Sequence, residues 1–489
     1  MFEVIIIGSG FAGQCAAAHL QRLGIENYRI LERRDFMGGT WCQNAYPGAA
    51  VDVQSPLYSF SFAPYVWTQM FAEQKELEGY TNYVIERFKL REKTELNADV
   101  SELRWLANEQ CWQVSTRKGQ DFKARFVINA SGPLSQAVIP EFNGQQSFQG
   151  EQFHTNAWRH DVDLKDKKVA IIGSGASAAQ VIPAIIDRVK SLHVFQRTPH
   201  WVIPRPDYKF NRFERWLLGF KPLYHLLRKA IYWALELRIV GFKYSDWMRK
   251  VIAENKAKKF LQTAIKDPEL RQKLTPDFTI GCKRVIISST LYPALSQPHC
   301  HVHGKEDGIA GITPTGIKTT TGQHIDADVI VYATGYATTD GLIPYPVIGE
   351  NEQTLEATWA EYPRAYLGTM VPNFPNLFLM TGPNTGIGHT SAIFIIEAQM
   401  EYIDRCLKAV REKQAQTIAV TTEAEAEYTD HIHQEMLKTV WHKGGCNSWY
   451  KSKSGKVIAI YPGFSFIYRW LAKRFKPAHH LFNGVRHER

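Results

Sequence analysis

The chain has 489 residues, 44% of them apolar and 22% charged, an ordinary composition for a globular protein of two or three domains. No apolar run approaches the roughly 18–20 residues that cross a bilayer, and Met1 leads directly into a predicted strand, so we expect neither a membrane span nor a leader peptide. The net charge of +10 invites a nucleic-acid partner, but the basic residues are dispersed and carry no nucleic-acid-binding signature, which argues against one.

The first predicted elements are the apolar strand Val4–Ile7 and a helix, joined by the glycine loop Gly8-Ser9-Gly10-Phe11-Ala12-Gly13. Glycines in this context let the backbone approach a pyrophosphate at the helix N-terminus. Glu32 follows the next strand, Tyr28–Leu31. Its carboxylate can accept hydrogen bonds from both ribose hydroxyls and would repel a 2′-phosphate. We therefore assign FAD to this loop.

A second loop, Gly173-Ser174-Gly175-Ala176-Ser177-Ala178, begins about 165 residues later, directly after the strand Val169–Ile172. Arg197 stands after the next strand, Leu192–Phe195, where the first unit has its acidic residue. A charge-assisted contact from arginine to phosphate contributes about 1.5–3 kcal/mol, so we assign NADPH here. The alternative is that Arg197 is a solvated cation at a strand end. Two dinucleotide sites in one chain indicate electron transfer from one cofactor to the other.

The elements in chain order predict an α/β fold of two Rossmann-like dinucleotide-binding domains with a helical insertion. The chain after Glu32 is predicted to run through loops to the strand Phe126–Asn129, and a strand at 377–380 is predicted to precede a helix that begins near Ser391. The predicted parts are the FAD-binding domain, 1–146 and 336–489; the NADPH-binding domain, 147–206 and 283–335; and the helical insertion, 207–282.

Two stretches are rich in basic and aromatic residues, 211–250 and Tyr468–Arg489. Either could lie on an anionic membrane as an amphipathic helix, but we favour ordinary helices with solvated faces. The seven cysteines are scattered and never form a CxxC pair. That pattern favours free thiols in a reducing compartment, and hence a cytoplasmic protein. No metal site is expected.

The linker Phe148–Trp158 matches the pattern FxGxxxHxxxW, and Gly38–Trp41, Tyr46–Gly48 and Asp52 match a second pattern, GGxW followed by YP, Gly and Asp. With these motifs the chain resembles, over nearly its whole length, a Baeyer–Villiger monooxygenase of the flavin-containing monooxygenase superfamily. Trp158 is typical of the Baeyer–Villiger branch, whereas Arg159 departs from the Pro or Asp usual there. We place His154 outside the catalytic set, as a hinge residue.

The resemblance implies that a flavin peroxide inserts one oxygen atom beside a ketone carbonyl to give an ester or lactone, with sulfoxidation as a side activity. The flavin peroxide must persist as an anion to attack the carbonyl carbon, and an anion in a dry pocket needs a fixed cation nearby. Arg284, in Gly281–Arg284, matches the arginine that the family places in its active site, and Asp52 matches the acidic residue that orients it. An interdomain ion pair of purely structural use is the alternative for these two residues.

The resemblance also implies the cofactor contacts. For the aromatic side chains among them, ordinary core packing is the alternative. The residues assigned to cofactor binding are Gly8, Gly10, Phe11, Ala12, Gly13, Glu32, Arg33, Gly39, Thr40, Trp41, Tyr46, Asp52, Val53, Gly173, Ser174, Gly175, Ala176, Ser177, Arg197, Thr198, Lys283 and Trp449.

Three other functions are weighed against this one. A microsomal-type flavin monooxygenase would oxidise soft nitrogen or sulfur and would not need Arg284. A disulfide reductase needs a cysteine pair near Cys42, which has no second cysteine in the following sixty residues. A non-catalytic nucleotide-binding protein would not need both loops and Glu32 intact. The expected partners are dioxygen and a small apolar ketone or sulfide, whose identity and regioselectivity the sequence leaves open, as it does the oligomeric state.

Overall fold

Both predicted glycine loops lie between a buried parallel strand and a helix in the computed structural model, which describes residues 1–339 and 341–485. The elements of the first part of the chain are β1 (Phe2–Ile7), α1 (Phe11–Arg22), β2 (Tyr28–Leu31), α2 (Thr40–Gln43), α3 (Gln74–Arg87), β3 (Thr94–Glu95), β4 (Val100–Leu106), β5 (Cys111–Thr116) and β6 (Asp121–Asn129).

The second glycine loop and the insertion follow. Their elements are β7 (Glu151–His154), β8 (Lys168–Ile172), α4 (Ala176–Ile185), β9 (Ser191–Phe195), β10 (Val202–Ile203), α5 (Arg212–Leu218), α6 (Lys221–Glu236), α7 (Asp246–Arg249), α8 (Asn255–Ala264) and α9 (Pro268–Lys273). Two π-helical segments, Val240–Tyr244 and Lys250–Glu254, flank α7.

The remaining elements return to the two sheets. They are β11 (Ile286–Ile287), α10 (Leu291–Leu295), β12 (Cys300–His303), β13 (Ile309–Thr313), β14 (Gly316–Thr319), β15 (His324–Asp326), β16 (Val329–Tyr332), β17 (Val347–Ile348), α11 (Leu355–Thr358), β18 (Leu377–Leu379), α12 (Ala392–Glu412), β19 (Ala415–Val420), α13 (Thr422–Met436), α14 (Val440–Lys443), α15 (Ser465–Lys473) and β20 (His480–Val485). The short 3-10 helices are Leu90–Lys93, Gln145–Ser147, Thr155–Ala157, Ile186–Arg188, Lys305–Asp307, Glu350–Glu352 and Pro477–His479.

The first sheet has the order β17-β4-β5-β6-β1-β2-β3 and joins the two ends of the chain. β6 pairs with β1 along one edge, and β5 and then β18 pair with different parts of β6. β18 comes from the C-terminal part of the chain, and α12 from the same part packs against α1. Ser391 caps α12 by accepting a hydrogen bond from the Ile393 N–H, 3.2 Å, so the helix predicted near Ser391 is confirmed.

The second sheet is wholly parallel, with the order β12-β9-β8-β16-β7. β8 and β16 at its centre are almost entirely buried, as apolar runs in parallel sheets usually are. Together the two sheets confirm the predicted fold class of two Rossmann-like units with a helical insertion. The domain boundaries given above stay a prediction.

The loops predicted after Glu32 are in part wrong, because this stretch contains α3 and the antiparallel strands β4 and β5. β5 alternates partly exposed residues with the buried Trp112, Val114 and Thr116, a two-residue period that marks a half-buried strand. Within the described residues, no helix is both long enough and apolar enough to cross a bilayer.

Candidate active site

A single cavity of about 2110 Å³ joins the two glycine loops. Small-molecule sites usually occupy about 300–1,000 Å³, so this cavity has room for more than one large ligand. All the residues assigned above to cofactor binding, except Gly13, line it, as does Arg284. The chain thus brings the predicted site residues together, although they are spread from Gly8 to Trp449.

In the first loop, glycine is required by close backbone contacts. Gly8 has φ +100°, and a Cβ there would lie 2.6 Å from the Ala130 carbonyl oxygen. A Cβ on Gly13 would lie 1.9 Å from the Gly8 oxygen, so Gly13 lets α1 approach β1 instead of lining the cavity. Gly10 provides no side-chain cap for α1. The first N–H groups of α1 are therefore available to an anion in the cavity.

Glu32 lies at the end of β2, buried and facing the cavity. The backbone N–H and the hydroxyl of Ser9 both donate to its Oε2, over 3.0 and 2.6 Å. The Arg34 N–H donates to its Oε1 over 3.1 Å. A carboxylate has about four acceptor positions, so the carboxylate of Glu32 is fixed in place and can still accept from a ribose.

The second loop also depends on a glycine in close backbone contact, but the strand end beside it carries the cation Arg197 where the first unit has Glu32. Gly173 has φ +119°, and its Cβ would lie 2.3 Å from the Ala333 oxygen, whereas a Cβ on Gly175 would meet nothing within 4 Å. The Ser174 hydroxyl donates to the Thr198 carbonyl over 3.0 Å and so ties the loop to the strand end that carries Arg197.

Arg197 and Lys283 make this end of the cavity cationic. Both side chains line the cavity, and burial, and then the charge of Arg197, lower the pKa of Lys283. Burial, and then the charge of Lys283, lower the pKa of His200 to about 4, so this histidine is neutral at pH 7. Two positive charges at one cavity wall repel each other, and a bound phosphate would relieve this repulsion.

Arg284 and Asp52 form an ion pair across the two units, with 2.5 Å between Nη2 and Oδ1. Asp52 precedes α3 on the first unit, and Arg284 precedes β11. Half of the Arg284 side chain is exposed, against a quarter of Asp52, and both residues line the cavity. The charge of Asp52 raises the pKa of Arg284, which therefore keeps its proton at any working pH.

The predicted aromatic contacts take different positions. Trp41 donates from Nε1 to the Tyr58 hydroxyl over 3.1 Å. The hydroxyl of Tyr46 donates to Gln180 of α4 over 2.9 Å, so this residue of the first unit also contacts the second. Trp449 is 45% exposed, packed against a single neighbouring ring in the cavity wall. Nearly half of its surface is therefore open, and core packing does not account for the whole side chain.

Comparison with known proteins gives the family. The family model described as pyridine nucleotide-disulphide oxidoreductase matches residues 5–211. A Baeyer–Villiger monooxygenase of Pseudomonas aeruginosa is 39% identical over 483 residues, 98% of this chain and 91% of the relative. The chain belongs to the Baeyer–Villiger monooxygenase family.

Solved structures of this family have the same fold. Cyclohexanone monooxygenase from Rhodococcus sp. Phi1 bound to NADP+ has a TM-score of 0.89 at 27% identity, with 99% of each chain covered. A crystal structure of OTEMO complexed with FAD and NADP has a TM-score of 0.89 at 25% identity, covering 98% of this chain and 99% of that one. Both structures hold a nicotinamide dinucleotide, and the second also holds a flavin.

Two tyrosines that line the cavity with Arg284, the partly buried Tyr58 and the buried Tyr450, were missed in the sequence of this Baeyer–Villiger monooxygenase. Burial raises the pKa of Tyr58 to about 12 and the pKa of Tyr450 to about 12, and both phenols experience the charges of Asp52 and Arg284. Both side chains are therefore neutral at working pH. Tyr450 directly follows Trp449, a neighbour that could have drawn attention to it, but Tyr58 has no such signal.

The expectation of free thiols is wrong for two of the seven cysteines. Cys282 and Cys446 form a disulfide across a sequence separation of 164 residues. It joins the segment that carries Arg284 to the segment that carries Trp449. The physical reason is proximity in the fold, which spacing along the chain does not show. Cys42, the position at which a disulfide reductase would need its pair, is a free thiol.

His154 has the surroundings of a structural residue. It is 3% exposed at the end of β7, and its Nδ1 accepts a hydrogen bond from the Asn156 N–H over 3.0 Å. Its ring meets Tyr336 edge-on, with 5.7 Å between centroids. Burial lowers the pKa of His154 to about 4, which leaves it neutral at pH 7. It packs where the chain passes between the two sheets.

Proposed function

We propose that this chain is an FAD-dependent, NADPH-consuming Baeyer–Villiger monooxygenase that inserts one oxygen atom beside the carbonyl of a small apolar ketone to give an ester or lactone. Family membership supports the reaction class. The observation that carries the assignment of residues is the Arg284–Asp52 ion pair, which lines the same cavity as both glycine loops.

The residues present fit both cofactors. The uncapped start of α1 and the fixed carboxylate of Glu32 would hold the pyrophosphate and ribose of FAD. The uncapped start of α4, with Arg197 and Lys283, would hold NADPH and its 2′-phosphate. When bound, the flavin reduced by NADPH supplies an activated oxygen atom from dioxygen.

Arg284 provides a permanent positive charge in the cavity. Negative charge that develops on oxygen in the transition state is stabilised by a cation already in position, which needs no reorganisation during the reaction. Asp52 holds the guanidinium by the 2.5 Å ion pair and leaves half of its surface free to face a ligand. In this proposal Arg284 acts on the reacting atoms, and Asp52 positions it.

Tyr58 and Tyr450 add no charge to the surroundings of the pair. Both phenols keep their protons because their pKa values are raised to about 12, so neither competes with a ligand for the charge of Arg284. Cytoplasmic residence stays a prediction, and the Cys282–Cys446 disulfide weakens the free-thiol argument on which it was based.

The test is to purify the protein, record the absorption band of oxidised flavin, and follow NADPH oxidation over linear, cyclic and aryl ketones while the products are identified. We expect a yellow protein that forms ester or lactone from at least one ketone, with slower oxidation of sulfides to sulfoxides. Oxygenation of amines and sulfides without any ester would instead assign the heteroatom branch. A colourless protein that binds neither cofactor would indicate a non-catalytic fold.

A further inference from the structure

The outward stripe of α6 is apolar, although it faces solvent. Leu223, Leu226, Trp233 and Leu237 are 45%, 65%, 51% and 59% exposed, and Ala230 between them is exposed as well. A surface helix ordinarily turns charged and polar residues outward. The exposed face expected for this region is present on α6, but it is apolar.

This stripe continues onto its neighbours. Trp216 of α5 meets Phe220 edge-on at 4.6 Å, and Trp233 packs against Phe466 of α15 at 5.7 Å. Further exposed rings and side chains extend both ends. We define the aromatic face as Phe213, Trp216, Phe220, Leu223, Leu226, Trp233, Leu237, Phe466, Ile467 and Trp470, each of which is at least 39% exposed.

The exposed charges carried by the segments that form the aromatic face have one sign, although Glu401 of α12 pairs with Arg469 and Lys473 beside it. Within 208–238 and 464–476, stretches that the structure describes completely, every exposed charged side chain is a cation. Glu214 is half-buried in a helix cap, and Glu236 is fully buried. We define the cationic rim as Lys209, Arg212, Arg215, Lys221, Lys229, Arg238, Lys473, Arg474 and Lys476.

We propose that the aromatic face docks on the surface of an anionic lipid bilayer. Tryptophan, phenylalanine and leucine on one face, with lysine and arginine at its edge, suit the boundary between lipid headgroups and acyl chains. Each cation near an anionic surface adds about a fivefold gain in binding. A second copy of the chain is a poorer occupant, because a twofold contact would set the cationic rim against itself.

The cavity opens at this face. Leu237 of the aromatic face and Arg238 of the cationic rim are both exposed, and both also line the cavity. A molecule dissolved in the bilayer could therefore reach the cavity without crossing water. This consequence rests on the proposed function, since it makes the lipid phase a source of apolar ketone.

The test is flotation of the flavin-loaded protein with vesicles of phosphatidylcholine alone or with 30 mol% phosphatidylglycerol. We expect flotation with the mixed vesicles, weaker flotation with phosphatidylcholine, and loss of flotation as salt is raised, because salt screens the cationic rim. Arg215→Glu with Lys229→Glu is expected to weaken binding at least about 30-fold, and Leu223→Ser with Leu226→Ser about tenfold or more.

Each control variant has the same net charge and the same number of exposed leucines as the test variant with which it is compared. Lys118→Glu with Lys190→Glu changes exposed cations on other surfaces, and Leu96→Ser with Leu481→Ser removes exposed leucines there. Absence of flotation, or equal losses in test and control pairs, would overturn the proposal. The proposal would also be overturned if the protein formed a stable oligomer that dissociates only in the variant with Leu223→Ser and Leu226→Ser. Binding to an acidic protein, without binding to lipid, would overturn it as well.

The two proposals fail separately. Flotation is measured without turnover, so it stands or falls whether or not any ketone is oxygenated. If vesicles bind and no ester forms from any ketone, the reaction assignment fails and docking remains. If esters form but added anionic vesicles leave the KM for a long-chain ketone unchanged, the docked face does not deliver substrate.

Discussion

Replacing Arg284 with alanine removes a guanidinium that lies 2.5 Å from Asp52 and turns half of its surface to the cavity. Loss of one stabiliser of transition-state charge typically costs about 3–4 kcal/mol, which lowers the rate by about 10²–10³-fold. The carboxylate of Asp52 would also be left unpaired, and it would oppose negative charge in the same place. We therefore expect kcat for ketone oxygenation to fall at least about 10²-fold.

The assay follows NADPH oxidation and ester formation separately, with flavin content measured on the same sample. We expect flavin content to be unchanged, because Arg284 belongs to neither glycine loop. NADPH oxidation continues without ester, and sulfide oxidation persists. Arg284→Lys keeps the charge but loses the planar fork, so its activity should lie between those of Arg284→Ala and the parent. Ester formation by Arg284→Ala within a few-fold of the parent would refute the role given to this residue.

Three further predictions concern the pair, the nucleotide site and stability. Asp52→Asn leaves Arg284 charged but less firmly held, so kcat should fall less than in Arg284→Ala, and the double variant should add little; additive losses would mean that the two residues act independently. Arg197→Ala should lower the preference for NADPH over NADH by about ten- to a hundredfold; equal changes in KM for both nucleotides would contradict a phosphate contact. Burial lowers the pKa of His480 to about 4 against about 6.5 when unfolded, so its contribution to stability is present above pH 6.5 and is lost as the pH falls toward 4, by about 2 kcal/mol between pH 7 and 5. The fall in Tm between these pH values should be smaller in His480→Gln, and an equal fall in both proteins would show that His480 does not titrate with unfolding.

The glycine loops could be predicted from the sequence because their cause is local. Gly8 and Gly173 have positive φ angles directly after a buried strand, so a glycine that follows an apolar run is visible within a few residues of each loop. The pairing of Arg284 with Asp52 came from a family resemblance, since 232 residues separate the two side chains and no local pattern connects them.

Other parts of the site depend on tertiary contacts that spacing does not encode. Tyr58 and Arg284 line the same cavity only because distant parts of the chain fold together, and Cys282 meets Cys446 for the same reason. The aromatic face could be predicted only in part, for a different reason. The amphipathic pattern of α6 was visible in the sequence, but which stripe of the helix faces outward depends on α12 and α15, against which it packs.

The pairing of β18 with β6 has a consequence for how the protein is made on the ribosome. β18, residues 377–379, pairs with the end of β6 near Asn129. α12 covers α1, so α1 stays exposed until α12 has been synthesised. Chains emerge at about 5–20 residues per second, so the first nucleotide unit waits for tens of seconds with part of a strand edge unpaired. An unpaired edge is prone to pair with another chain. The nascent protein therefore depends on fast closure by its last segments, or on a chaperone, during a delay that a contiguous first domain would not have.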